Sequence, residues 1–340
     1  IQLPLFHPDR FFETLQPLFG WCFSFPALLA WLVVIGWALR DVIAGSHQLA
    51  VSSAGVLAAG NWMWLGVAWL VLKVLHECAH GVACKRLGGE VREAGVIFIL
   101  FAPLAYVDVT SSWRLRSKWT RMQVAAAGMY VELFLAAIAT LVWYRTAPGV
   151  LNHLCFNVML TASVATLLFN ANPLMRFDGY YMLSDVLELP NLYGQGRQYL
   201  SDLLRRSVFG MRTAAVKLTG YRGWVVRVYG IASAAWRNLV FWGLVLTAAT
   251  LLEGAGIILS TLAVALWISA AVRQFVRFSR CATARSHASW RRFSIVSAVG
   301  LTAGAVLLLA VPWPGAVTAP AIVGYAPRTI VRTASAGFIK

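Results

Sequence analysis

Apolar residues in this chain gather into runs of about 20, the length an α-helix needs to cross the hydrocarbon core of a bilayer. The runs cover roughly Cys22 to Ala44, Asn61 to Leu87, Trp119 to Tyr144, Val150 to Asn170, Val225 to Leu252, Gly256 to Phe275 and Phe293 to Pro312. Between the second and third runs the pattern changes. Residues 88–110, GGEVREAGVIFILFAPLAYVDVT, mix β-branched residues with glycine and proline, which predicts a hairpin. The piece is too short to span, and an open sheet edge cannot face lipid, so it packs on protein or lines a wet cavity. Residues 190–222 read as an interfacial, partly amphipathic segment. The pattern predicts an all-α polytopic membrane protein of about seven transmembrane helices with a small membrane-associated β-hairpin. No internal repeat or low-complexity tract is visible.

Composition agrees. Of 340 residues, 59% are hydrophobic and only 12% charged, with a mean hydropathy of +0.69. A soluble domain carries about 25% charge, so that class is excluded. The net charge of +16 would point to nucleic acid in a soluble protein. Here the basic residues lie between the apolar runs, where they act as topology signals and meet anionic headgroups. Lys85 and Arg86 close the second run, and Arg114, Arg116, Lys118 and Arg121 precede the third. Seven more lie between Arg197 and Arg227, and six between Arg273 and Arg292. Seven spans starting inside put all four clusters in the cytoplasm. The opposite loops, near 45–60 and 145–150, carry almost no charge, and the tail from about Trp313 falls on the outer face. Five cysteines form no metal-type CxxC pair and read as small packing residues. The chain opens without methionine or a cleavable signal, as a piece of a longer protein does.

The second run holds three ionisable groups in VLKVLHECAHGVACKRLGG, residues 71–89. His76 and His80 are four apart, so a helix sets them on one face, one turn apart. Both imidazoles then reach one metal ion, and Glu77 supplies a base for the attacking water. Paired core histidines are the bland alternative, but ionisable groups inside a membrane usually serve function. Tetrahedral zinc takes a third protein ligand and leaves the fourth place open. His7, His47, His153 and His287 lie near span ends or in loops. Asp178 is better placed, in LLFNANPLMRFDGYYMLSD (167–185), where Asn170, Pro173 and Gly179 break the helix after the fourth run.

The HECAH sequence, together with Asn170-x-x-Pro173-x-x-x-x-Asp178-Gly179, resembles the site-2 protease family of intramembrane zinc metalloproteases. The resemblance is close over residues 60–190. It implies His76, His80 and Asp178 as zinc ligands, Glu77 as the catalytic base and Asn170 as a substrate-holding residue. It further implies hydrolysis of membrane-embedded or membrane-associated peptides. One departure stands out: the family's Gly-Pro-x-x-Asn-like turn is here AAAGMYVELFLA, with Glu132 in place of the asparagine. Helix rise puts Glu132 roughly 20 Å in from Trp119 and His76 roughly 16 Å in from Leu87. At matching depths, Glu132 either holds a zinc ligand from behind or is a protonated packing group.

Glu132, FNANPLMRFDGYYMLSDVLELPNL and a long C-terminal extension resemble the bacterial putative peptide zinc metalloprotease branch, which is associated with peptide maturation or export. TAPAIVGYAPRTIVRTASAGFIK, residues 318–340, resembles the opening of the biotinyl-lipoyl-like domain of periplasmic adaptor proteins. The expected organisation is a transmembrane protease domain over 1–312 and an outer-face segment over 313–340. The expected setting is the bacterial inner membrane, with the N-terminus cytoplasmic and the C-terminus periplasmic. An export or efflux complex is the partner this implies beyond peptide and lipid. The rival is a non-catalytic export or adaptor subunit that retains the fold. A multi-histidine desaturase is excluded, since six histidines are too few.

Overall fold

The computed structural model describes residues 2–53, 55–99, 102–209, 220–251 and 253–283, with scattered positions between 291 and 306. The chain begins with β1 (Gln2–Phe6), α1 (Asp9–Phe19), α2 (Phe25–Ala44) and α3 (Ser46–Ser53). Then come α4 (Trp62–Arg86), β2 (Ala94–Ile99), β3 (Ala102–Val107) and α5 (Lys118–Arg145). Next is α6 (Val150–Val164), which runs on through a π-helical turn, Ala165–Asn170. Last come α7 (Asp178–Leu187), α8 (Leu192–Phe209), α9 (Gly220–Leu251) and α10 (Glu253–Thr283).

Six of these helices are long and apolar enough to cross a membrane: α2, α4, α5, α6 with its π turn, α9 and α10. They match the first six apolar runs, and the fold is an all-α polytopic membrane protein. The expected seventh span and the tail from 313 onward lie outside the described residues. α2 starts at Phe25 rather than Cys22 because Ser24 caps it, accepting from the Ala27 amide, and Pro26 fits the first turn. α9 starts at Gly220, before its apolar run. Its first turns bury Val225, Val226 and Tyr229 against Tyr180, Leu189 and Leu192 of α7, α8 and their connection.

The hairpin is present and larger than expected. β2 and β3 pair antiparallel, with Ala94 opposite Val107 and Ile97 opposite Leu104. β1 adds to the far side of β2, with Leu3 opposite Val96, so the sheet order is β1-β2-β3. This covers one edge of the hairpin and leaves β3 as the edge strand beside α4. α1 is strongly amphipathic and buries Phe12 against Val82, Cys84 and Val124. Lys85 Nζ ties it down through both Asp9 carboxylate oxygens at 2.9 Å and Glu13 Oε1 at 3.0 Å. Asp9 also accepts from the Val91 amide at 2.8 Å. These hydrogen bonds, that of Lys85 first, hold the Asp9 carboxyl below its usual value.

The three central spans carry the packing. Half of the most apolar stretch of α4 and of α5, and a third of that of α6, is buried inside the protein. Small residues make this contact possible: Ala79 and Ala83 of α4 meet Ala127 of α5, and Ala162 of α6 meets Leu72 and Ala136.

Candidate metal centre

His76 and His80 project from the part of α4 that is covered by α5, and both are buried. Gly128 on α5 is what admits the His76 ring. A Cβ at 128 would stand 2.4 Å from His76 Cε1 and Nε2, closer than any unstrained contact.

The outer nitrogens of the two rings are engaged from behind. His80 Nδ1 lies 2.7 Å from the Val124 carbonyl. A carbonyl only accepts, so Nδ1 carries the proton and Nε2 offers a lone pair. His76 Nδ1 lies 3.1 Å from Glu132 Oε1, a charge contact off the axis of a regular hydrogen bond. The inner nitrogens converge: His76 Nε2 and His80 Nε2 are 3.0 Å apart. Asp178 Oδ2 stands 3.0 Å from the first and 3.4 Å from the second.

Asp178 reaches this point because of how α6 ends. The π turn widens the last turn of α6, and the Ala171 amide bonds the Thr166 carbonyl at 2.7 Å. The chain then folds back and α7 starts at Asp178 itself. Gly179 makes the return possible, since a Cβ there would meet the Ala171 carbonyl oxygen at 2.4 Å.

Three lone-pair donors within 3.4 Å of one another repel unless a cation or proton lies among them. A tetrahedral ion with N and O ligands at about 2.0–2.1 Å has donor–donor edges of roughly 3.3–3.4 Å. The His76, His80 and Asp178 atoms therefore fit one face of such a tetrahedron, and nitrogen with carboxylate is a donor set that suits zinc.

Glu77 sits beside this cluster, facing a cavity of about 460 Å³. Its Oε1 is 2.9 Å from Lys73 Nζ, and its Oε2 accepts from the Val107 amide of β3 at 3.2 Å. The carboxylate is thus held between its own helix and the sheet edge. Asn170 and Asp178 line the same cavity, with Trp113 and Arg176. Glu132 is buried, and its Oε2 accepts from Thr166 Oγ1 and from Asn170 Nδ2, the latter at 3.0 Å. One carboxylate therefore links α4, α5 and the π turn of α6.

Every residue singled out from sequence lies in or against this one site: His76, Glu77, His80, Glu132, Asn170 and Asp178. The other histidines do not. His7 Nδ1 contacts the Arg92 carbonyl at 2.7 Å, His153 Nε2 contacts Asn61 Oδ1 at 2.8 Å, and His47 is exposed on α3. His287 lies outside the described residues. Groups around the site that had not been singled out include Lys73, Thr166 and the Val107 amide. A lysine inside an apolar run, four residues before a glutamate, was the one readable signal among them.

Residues 64–150 match the model of peptidase family M50. This segment is similar to that family, the site-2 protease family. The matched segment takes in α4, the hairpin and α5, hence His76, Glu77, His80 and Glu132; Asn170 and Asp178 lie beyond it. An uncharacterized protein of Methanocaldococcus jannaschii is 33% identical over 85 residues, 24% of this chain and 23% of that protein. The chain thus matches about a quarter of the length of that curated relative. No solved structure matches the chain. With six helices long and apolar enough to cross a membrane, the chain is a multi-pass membrane protein that carries a segment similar to a peptidase family.

Proposed function

We propose that this chain is an intramembrane zinc endopeptidase that hydrolyses peptide bonds of membrane-embedded or membrane-associated peptides. The observation that carries the reading is the convergence of His76 Nε2, His80 Nε2 and Asp178 Oδ2 beside an oriented Glu77. These three residues would hold the ion, which supplies a Lewis acid that activates water and stabilises the oxyanion. Glu77 takes the proton of the attacking water and delivers it to the leaving amine. Lys73 and the Val107 amide hold the carboxylate in place for both transfers.

A helical substrate must unwind first, because its amides are bonded and shielded. β3 gives the unwound strand somewhere to go. Val107 points its amide away from β2, to Glu77, so in an antiparallel pair Ala105 turns its backbone N–H and C=O outward as well. A peptide adding to this edge lies across the cavity mouth. Asn170 lines the cavity and binds the peptide backbone, while its amide group is steadied by Glu132. The packed small residues of α4 and α5 keep lipid from the site.

The reading includes the orientation expected from the basic clusters, N-terminus cytoplasmic and C-terminus on the outer face, and the bacterial inner membrane that the resemblance implies. A cysteine placed at Arg116 should react with an impermeant label only from the cytoplasmic side, and labelling from outside would reverse the topology. The catalytic assignment is tested by Glu77→Gln. This variant should keep its metal and lose about 10²–10⁴-fold in cleavage of a membrane-embedded peptide, the usual range for a lost acid–base group. Undiminished turnover would move the chemistry elsewhere.

A further inference from the structure

A second cavity, of about 690 Å³, opens between α8, α9 and α10, away from the metal centre. It is lined by one arginine from each helix: Arg197, Arg237 and Arg273. Leu200, Leu204 and Ala234 contribute apolar walls. No carboxylate lines it, and among the described residues none of the three arginines has an acidic partner. Arg237 donates to Tyr193 Oη at 2.7 Å, which orients the guanidinium and leaves its charge uncompensated. Asp202, the acid on α8, is turned to Arg205 at 3.7 Å.

The level of this groove is fixed by side-chain contacts between α9 and α10. Ser260 Oγ donates to the Val245 carbonyl at 2.9 Å, and Phe241 stacks on Trp267 at 5.8 Å. In that antiparallel register Arg237 lies across from Arg273. Residues 239–251 of α9 and 254–272 of α10 contain no charge at all. The two arginines are therefore the first charges at the same end of both apolar stretches. That is the level of lipid phosphates. α8 lies over them, with Leu203 and Leu204 exposed.

Three guanidinium groups around one groove repel each other, beside apolar walls. An anion with several acceptor oxygens relieves this, and arginine forks match phosphate geometry. We propose that this groove binds the phosphate of an anionic glycerophospholipid headgroup, which clamps α8 onto α9 and α10. A free phosphate shares the recognition chemistry. The apolar walls and the position at the end of the apolar stretches favour the lipid, whose glycerol and upper chains would lie along Leu200, Leu204 and Ala234.

The test is native mass spectrometry of the chain in detergent, titrated with phosphatidylglycerol, phosphatidylcholine or inorganic phosphate. Wild type should retain phosphatidylglycerol and not phosphatidylcholine. Arginines near anionic headgroups are each worth about fivefold in affinity, so removing all three by Arg197→Gln, Arg237→Gln and Arg273→Gln should weaken retention about a hundredfold. Among the described residues Arg197 and Arg273 have no side-chain partner to lose, so the single variants Arg197→Gln and Arg273→Gln should each weaken it about fivefold without touching the fold. A charge-matched control, Arg10→Gln with Arg114→Gln and Arg116→Gln, should keep wild-type retention. Equal loss in the control would reduce the effect to net charge and overturn the site. Equal retention of phosphatidylcholine would remove the role of headgroup charge and overturn it too. Displacement of the lipid by millimolar inorganic phosphate would make the ligand a soluble anion and overturn the lipid assignment.

Discussion

α4 and α9 have the same mean hydropathy over their most apolar stretches, 1.3, yet half of the α4 stretch is buried in protein and only 6% of the α9 stretch. The average conceals where the polar groups sit. In α4 they lie in the middle of the span, at His76, Glu77 and His80, and small residues around them let α5 close over the site. In α9 the charges lie toward one end, and the rest of the helix turns Leu239, Leu244 and Leu246 outward. Between helices in lipid no hydrophobic force distinguishes a protein contact from a lipid contact, so small residues and polar bonds decide which helices pack. A helix that carries chemistry must be enclosed, and one that meets lipid keeps its polar groups at the boundary.

The contrast predicts that substitutions in α4 and α5 act on the metal, while comparable ones in α9 and α10 do not. The largest effect should come from His80→Ala. It removes one of three converging donors and leaves Asp178 and His76 facing an incomplete site. Purified protein should lose its bound zinc and all cleavage, whereas Arg273→Gln on α10 should keep both. Stoichiometric zinc in His80→Ala would dismiss the proposed ligand set.

Next in size is Gly128→Ala. The added Cβ meets the His76 ring at 2.4 Å. A flexible side chain would swing away cheaply, but this ring is fixed between Glu132 and the Asp178–His80 pair. Overpacking of this kind costs about 1–3 kcal/mol, which corresponds to at least roughly a fivefold loss of metal affinity. Competition with a chelator measures it. An unchanged affinity would mean that His76 has room the structure does not give it.

Much of this was readable from sequence, for reasons that differ by element. Six spans were legible because a bilayer of fixed thickness demands a fixed length of apolar helix. The His76 and His80 pair was legible from helical periodicity, and Glu132 from counting residues along two helices. Asp178 is 102 positions from His76; the helix break after the fourth run marked it as a candidate, and the resemblance to a known family named it as a ligand. β1 was not legible, because five residues at the start of the chain gain their strand identity from β2. Thr166 was not legible either. A threonine in a membrane helix ordinarily bonds a carbonyl of its own helix. Here its hydroxyl goes to Glu132 on α5, which cannot be inferred without the third dimension.

Glu132→Gln separates a metal-supporting role from a packing role. Thr166 Oγ1 and Asn170 Nδ2 donate to one oxygen of this carboxylate, and the His76 ring stands 3.1 Å from the other. A carboxylate meets both sides with an oxygen, while an amide has one accepting oxygen and must turn its NH₂ toward the donors or toward His76. The structure therefore disfavours glutamine as a silent replacement. Loss of such an outer partner typically costs roughly 10–100-fold in metal affinity or activity. Zinc affinity and cleavage rate should both fall within that range, and the protein should remain folded. Wild-type values for both would leave Glu132 as a helix-packing group.

The smallest effect, and the sharpest control on the comparison, is Gly243→Ala. This is the same substitution as at Gly128, on a span of the other kind. Among the described residues a Cβ at 243 meets nothing within 4 Å, which puts it on the lipid-facing side in this comparison. Alanine is the better helix former by about 1 kcal/mol in water, and in a membrane the gain is smaller because the unfolded helix also keeps its backbone bonds. The variant should be as stable as wild type or slightly more so, with metal affinity unchanged. Thermal unfolding in detergent alongside the chelator assay tests both points. Loss of metal in Gly243→Ala would show that α9 packs on the core after all, and the division between enclosed and lipid-facing spans would fail.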